Sequence, residues 1–184
     1  MTIFFTSDTH FYHENVIKYS KRPFKNADHM NEEMIRRWNE RVKPTDEVYH
    51  NGDAVLGGGC DPTPVLSRLN GIIHLTPGNH DSKKMQKNDR WASVCPYREI
   101  KLDGKFIVLC HYAMKVWNKS HYGSLMLYGH SHGSLPGNNQ SLDIGVDCWD
   151  YRPVTLHEIL SRMATLPPYL PVDHHGRDQT ETDG

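Results

Sequence analysis

Asp8 and His10 stand two residues apart, just beyond the apolar run Ile3-Phe4-Phe5. Asp53 follows Gly52 after Val48-Tyr49-His50, and Asn79, His80 and Asp81 follow Gly78 after Ile72-Ile73-His74-Leu75. His111 follows Ile107-Val108-Leu109-Cys110, and His130 and His132 follow Gly129 after Leu125-Met126-Leu127-Tyr128. Five apolar runs thus each end in Asp, Asn or His. Such side chains offer carboxylate and amide oxygens and imidazole nitrogens, with no thiolate among them. That donor set suits Mn, Fe, Co, Ni or Zn and argues against Cu(I) and iron–sulfur clusters. Asp8, His10, Asp53, Asn79, His111, His130 and His132 are too many for one tetrahedral zinc and fit two metal ions that share a carboxylate. No Gly-x-Ser-x-Gly elbow or Cys/His pair offers a rival nucleophile.

For these residues to meet, the runs before them must be strands of one layered structure, because sites in α/β sheets gather beyond the carboxyl ends of strands. The pattern predicts strands over 2–6, 47–50, 71–76, 98–102, 105–111, 125–128, 142–146 and 154–156. Asp103-Gly104 marks a hairpin between the fourth and fifth. Met30, Met34, Trp38 and Val42 fall four apart and predict a helix over 28–42, stopped by Pro44. Shorter helices are expected over 62–69, from Ser82 to about Arg90, and after Thr155. On an extended strand end, Asp8 and His10 would point to one side, as would His130 and His132. Gly52, Gly78 and Gly129 precede ligands where close backbone approach or positive φ is useful. The fold class is α/β with mixed sheets.

The length of 184 residues suggests one domain, over 1–165, with a Pro-rich and then polar segment over 166–184 expected to be mobile. Twenty-one Lys and Arg balance 22 Asp and Glu, a net charge of −1 that gives no reason to expect a nucleic-acid partner. No apolar run approaches the ~20 residues that span a bilayer, so no membrane partner is expected. Four widely spaced cysteines and no basic, apolar leader read as a reduced, cytoplasmic protein. The oligomeric state is not written in the sequence.

The series Asp8-x-His10, Gly52-Asp53, Gly78-Asn79-His80-Asp81, His111 and Gly129-His130-Ser131-His132 resembles the calcineurin-like metallophosphoesterases, in that family's order and across most of the chain. The opening FFTSDTHFYHENVI is similar to small single-domain bacterial and phage members. The resemblance implies a sandwich of two mixed β-sheets flanked by helices, with the site at one edge. It implies that Asp8, His10, Asp53 and His132 hold one divalent ion and Asp53, Asn79, His111 and His130 the other. A hydroxide shared by the metals would attack a small phosphoester, and His80 would bind the phosphate and protonate the leaving oxygen. The lean is towards phosphodiesters, because no arginine lies close in sequence to the ligand loops and the chain is too short for a large capping domain. The family's second Asp after Gly-Asp is Leu56 here, so Asp81, or backbone or water, is expected to orient His80. A nuclease of the same superfamily and a non-catalytic scaffold of the same fold are the alternatives.

Other residues have plainer readings. His13 lies one turn past His10 and is a candidate substrate contact; His50 and His74 read as structural. Arg36, Arg37 and Arg41 read as a solvated helix face. Tyr112, Lys115 and Trp117 read as loop residues near a cleft, and Asp143 and Asp147 as loop caps.

Overall fold

The computed structural model describes residues 1–56 and 61–173. Two sheets carry the chain. The first has strand order β4-β3-β2-β1-β9, with β1 (Ile3–Thr6), β2 (Glu47–His50), β3 (Ile72–Leu75) and β4 (Trp91–Val94) parallel and β9 (Val154–Thr155) antiparallel at the edge. The second runs β5-β6-β7-β8. Its β5 (Tyr97–Leu102) and β6 (Lys105–Cys110) form the expected hairpin, and β7 (Leu125–Tyr128) and β8 (Ser141–Asp143) continue it in parallel. Asp103 and Gly104 both take positive φ, 49° and 75°, as a two-residue hairpin turn of the twist-matching kind requires.

Alternation along the strands sorts the core. Phe4, Val48 and Ile73 face α1 (Glu14–Tyr19), α2 (Ala27–Arg41) and α3 (Thr63–Leu66), where Val16, Met30, Met34, Trp38, Val65 and Leu66 meet them. Phe5 faces the other way, into a cluster with Ile107, Leu109, Leu125 and Leu127 of the second sheet and Leu156, Ile159 and Met163 of α4 (Leu156–Met163). The stripe read for α2 is the buried one, and Asn26 caps it by accepting from the His29 amide. α4 opens with a capping box between Thr155 and Glu158. Val108, Met126 and Tyr128 form the outer face of the second sheet, covered by Trp117 and Tyr169. The whole of β7 is buried, as a parallel strand covered on both faces should be.

Two expectations fail, and two elements lie where the sequence pattern marks none. The helix predicted from Ser82 shrinks to one 3₁₀ turn, Met85–Lys87. Ser82 does accept from the Met85 amide, but Asn88 turns extended and Trp91 leads into β4, a strand the sequence pattern did not mark. α1 was not predicted, being too short to draw a stripe. The strand predicted over 142–146 ends at Asp143 and gives way to a 3₁₀ turn, Val146–Cys148. In the segment expected to be mobile, Leu166 packs into the intersheet cluster, and the Tyr169 ring lies tilted against Trp117 and donates its hydroxyl to the Lys115 carbonyl; residues 174–184 lie outside the described residues. His174, His175 and Cys60 lie outside the described residues.

Candidate metal centre

The carboxyl ends of β1, β2, β3, β6 and β7 converge at one edge of the two sheets. Backbone hydrogen bonds carry the β1–β2 pairing past the strands, with the amides of Asp8, His10 and Phe11 donating to the carbonyls of Gly52, Asp53 and Ala54. The chain beyond the strands is not extended. Asp8, His10, Asp53, His130 and His132 have φ of 56°, 50°, 54°, 66° and 46°. Asp8 and His10 therefore share a side because each sits in the left-handed region, not because a strand alternates. Each such residue costs on the order of 1 kcal/mol, the strain that clusters at functional sites.

Two groups of ligand atoms result, each with members within 4.8 Å of one another: Asp8, His10 and His132, and Asp53, His111 and His130. One Asp53 carboxylate oxygen, Oδ2, lies 3.5 Å from His111 Nε2 and 3.7 Å from His10 Nε2, so it faces both groups. Asn79 Oδ1 lies 3.1 Å from His111 Nε2, which places it at the second group.

Whether the residues fit a cation can be judged from the buried polar atoms. His10 is 3% exposed, yet neither of its ring nitrogens has a hydrogen-bond partner. Burial pushes its pKa down to about 2, against the pull of Asp53, so the ring stays neutral and keeps a lone pair free. Burial pushes the Asp8 carboxyl up to about 7, which disfavours its anion until a cation arrives. Burial also works against the Asp53 anion, but the His111 ring beside it and the hydrogen bond from the His80 amide bring its pKa to about 2. A buried, partnerless imidazole beside two carboxylates is a site that divalent metal would satisfy.

The neighbours fix the ring tautomers. His111 Nδ1 lies 2.7 Å from the Asn51 carbonyl, which can only accept, so Nδ1 carries the proton and Nε2 faces Asp53 and Asn79. His132 Nδ1 likewise donates to Asp147, 2.7 Å away, and its Nε2 faces Asp8. Asp147 thus orients a ligand rather than capping a loop. It lies 15 residues beyond His132, with no spacing to reveal it. Asp143 does cap loops, accepting from the amides of Gly133 and Gly145.

Asp81 supports the site in a way the sequence reading did not anticipate. Its carboxylate accepts from the amides of Asp53, Ala54 and Gly78 and makes no hydrogen bond to the His80 ring. It ties two ligand loops together. The His80 amide donates to Asp53 Oδ1, while the exposed ring stands 5.7 Å from that of His10. The half-buried ring of His13 lies 5.5 Å from His10, with its Nδ1 unpartnered. His50 is structural: its Nδ1 accepts from the Gly52 amide and its Nε2 meets Thr9, which donates to the Ala54 carbonyl. Tyr112 is exposed, its ring against His130 and its hydroxyl 3.3 Å from Asn79 Oδ1.

Close approach explains Gly78. A Cβ there would collide with the Asp53 carboxylate and lie 2.7 Å from a carbon of the His111 ring. Gly78→Ala is expected to destabilise the metal-free protein by about 1–3 kcal/mol, the usual range for overpacking. Denaturant unfolding checks this, and an unchanged midpoint would contradict the packing described.

A family profile of the calcineurin-like phosphoesterase superfamily domain matches residues 1–142. An uncharacterized protein of Methanocaldococcus jannaschii is 32% identical over 167 residues, covering 86% of this chain and 89% of that protein. The crystal structure of a protein of unknown function from Aquifex aeolicus superposes with a TM-score of 0.68 at 24% identity, covering 87% of this chain and 98% of that one. That second likeness is one of fold.

Proposed function

The chain belongs to the calcineurin-like phosphoesterase superfamily, and from that premise we propose that it hydrolyses small phosphodiesters with two divalent ions held where its sheets meet. The observation that carries this reading is Asp53, whose Oδ2 faces both ligand groups. Asp8, His10 and His132 would hold one ion and His111, His130 and Asn79 the other, with Asp53 facing both. The oxygen and nitrogen donors admit Mn, Fe, Ni or Zn. Bound there, the ions supply Lewis-acid charge and make water a competent nucleophile near neutral pH. They also turn a chain of net −1 into one with positive charge focused at a single cleft, which draws in an anionic ester without a basic surface.

The chain's own groups do the rest. His80, exposed beside His10, donates to a phosphoryl oxygen and protonates the leaving oxygen. His13 lies on the same side and contacts the substrate. Asn79, His80 and His130 are exposed, so the cleft is open and admits a second ester arm. The diester preference rests on the arginines. Monoester sites commonly add Arg to grip the extra charge. Arg22 is turned inward, its side chain fully buried, and Arg90 donates to the carbonyls of Leu66, Leu69 and Gly71. Neither reaches the cleft. Cys95, Cys110 and Cys148 are free thiols, in keeping with a cytoplasmic enzyme. Among the described residues no helix is long and apolar enough to cross a membrane.

The test compares kcat/KM for bis-aryl and mono-aryl phosphates with Mn²⁺ added at one pH. We expect the diester to be preferred by tenfold or more, about 1.4 kcal/mol in transition-state binding. A monoester preference overturns the substrate class and leaves the metal centre standing. No turnover of either ester with Mn, Fe, Ni or Zn overturns the hydrolase.

A further inference from the structure

We propose that Arg22 and Asp147 are positioning residues that assemble Asp8, His10 and His132 as one ligand set; the inference rests on the two-ion reading above. Arg22 lies in the loop between α1 and α2, 14 residues from Asp8 and 125 from Asp147, the two segments it joins. Its Nε and Nη2 grip the Asp147 carboxylate with two parallel hydrogen bonds of 2.8 Å. The same Nη2 donates to the Asp8 carbonyl at 2.7 Å, and Nη1 donates to the Thr9 carbonyl at 2.9 Å. The guanidinium therefore holds the backbone of the left-handed turn that presents Asp8 and His10. Through Asp147 it also holds the ring of His132, whose Nδ1 meets the same Oδ2 that Nη2 grips. One buried cation ties three ligands drawn from opposite ends of the sequence.

A structural ion pair alone would not need this arrangement. Burying a charged pair gains little stability over apolar packing, and here the Arg22 side chain is fully buried with Asp147 7% exposed. What the pair supplies is direction. A carboxylate on Nδ1 fixes the His132 tautomer, turns an unprotonated Nε2 towards Asp8 and makes that nitrogen more basic. The planar fork of Arg makes four hydrogen bonds here, to both carboxylate oxygens and to two carbonyls; a lysine ammonium has three donors and cannot match them. The second ligand group is built differently, since the Nδ1 of His111 rests on the neutral Asn51 carbonyl. The two half-sites thus differ in how their histidines are oriented, and the charged device serves one of them.

That asymmetry makes the inference testable apart from activity. Mn²⁺ is titrated into metal-free protein by calorimetry, with wild type expected to bind two equivalents. Asp147→Asn is expected to weaken one equivalent 10- to 100-fold and to move the other less than threefold. Two equivalents unchanged, or both weakened alike, overturns the inference. Arg22→Lys should give the same one-sided loss and serves if Asp147→Asn does not fold. Long-range ¹H–¹⁵N spectra of the metal-free wild type, recorded at a pH where the His132 ring is neutral, need no variant: the single ring proton should sit on Nδ1, and a neutral ring protonated at Nε2 instead overturns the inference. Wild type that binds no metal overturns the two-ion reading instead, and the tautomer still decides this one.

Discussion

Asp53→Asn is expected to lower kcat/KM for an aryl phosphodiester by about 10³-fold or more, roughly 4 kcal/mol of transition-state stabilisation. The size follows from position. Asp53 Oδ2 faces His10 on one side and His111 on the other, so one substitution takes a charged donor from both ligand groups. Oδ1 accepts from the His80 amide, and a carboxamide placed there must turn either its NH₂ or its oxygen to that donor. If the oxygen stays with the amide, the NH₂ is thrust between two ion sites. Bound metal should fall with the rate, read by elemental analysis after gel filtration. A chelator should abolish wild-type turnover, and added Mn²⁺ should restore it. Undiminished hydrolysis in the metal-free protein would overturn the two-ion mechanism.

His80→Gln is expected to separate chemistry from metal binding, with turnover falling ~10²-fold or more at near-normal metal content. The division is visible in how the residue is used. Its main chain serves Asp53 through the amide, whereas its ring belongs to neither ligand group and stands exposed beside His10. Replacing the ring leaves the amide in place. An activated aryl leaving group needs little protonation, so the loss should be smaller for a nitrophenyl ester than for an alkyl one. Collapse of the metal content would make His80 a ligand and refute the role given to it.

The sequence disclosed the residues of both candidate ligand groups because they lie at the ends of apolar runs, and a run of four or five β-prone residues is hard to misread. It disclosed α2 because Met30, Met34, Trp38 and Val42 repeat with the helical period. It did not disclose Asp147 or Arg22, whose work depends on meeting in space at separations of 125 and 15 residues from one another and from His132. Of the alternatives the sequence leaves open for orienting His80, Asp81 does not bond its ring: an Asp beside His80 suggests a partner for it, while the fold spends that carboxylate on three backbone amides. The left-handed turns at Asp8 and His10 were also hidden, since Asp and His carry no obligatory mark for positive φ as glycine does. β4 was missed because Trp91-Ala-Ser-Val reads weakly alone and becomes a strand only against the edge of β3.

Each ligand group draws on both sheets. Asp8 and His10 extend from β1 and His132 from beyond β7; Asp53 extends from β2, while His111 and His130 extend from β6 and β7. Coordination as proposed would therefore work as a clasp on the rim of a sandwich whose two sheets are otherwise joined by apolar burial and a few hydrogen bonds, such as that from Asn51 to the Leu127 carbonyl. With ions bound as proposed, the two layers could not slide or hinge at that rim without breaking a bond to an ion, and an ion could not leave without loosening the rim. The protein's resistance to unfolding becomes a function of the free metal around it, rising by about 2.7 kcal/mol for each site as the concentration climbs to a hundred times its dissociation constant. On the proposed reading, loss of metal would thus weaken the architecture as well as remove the activity.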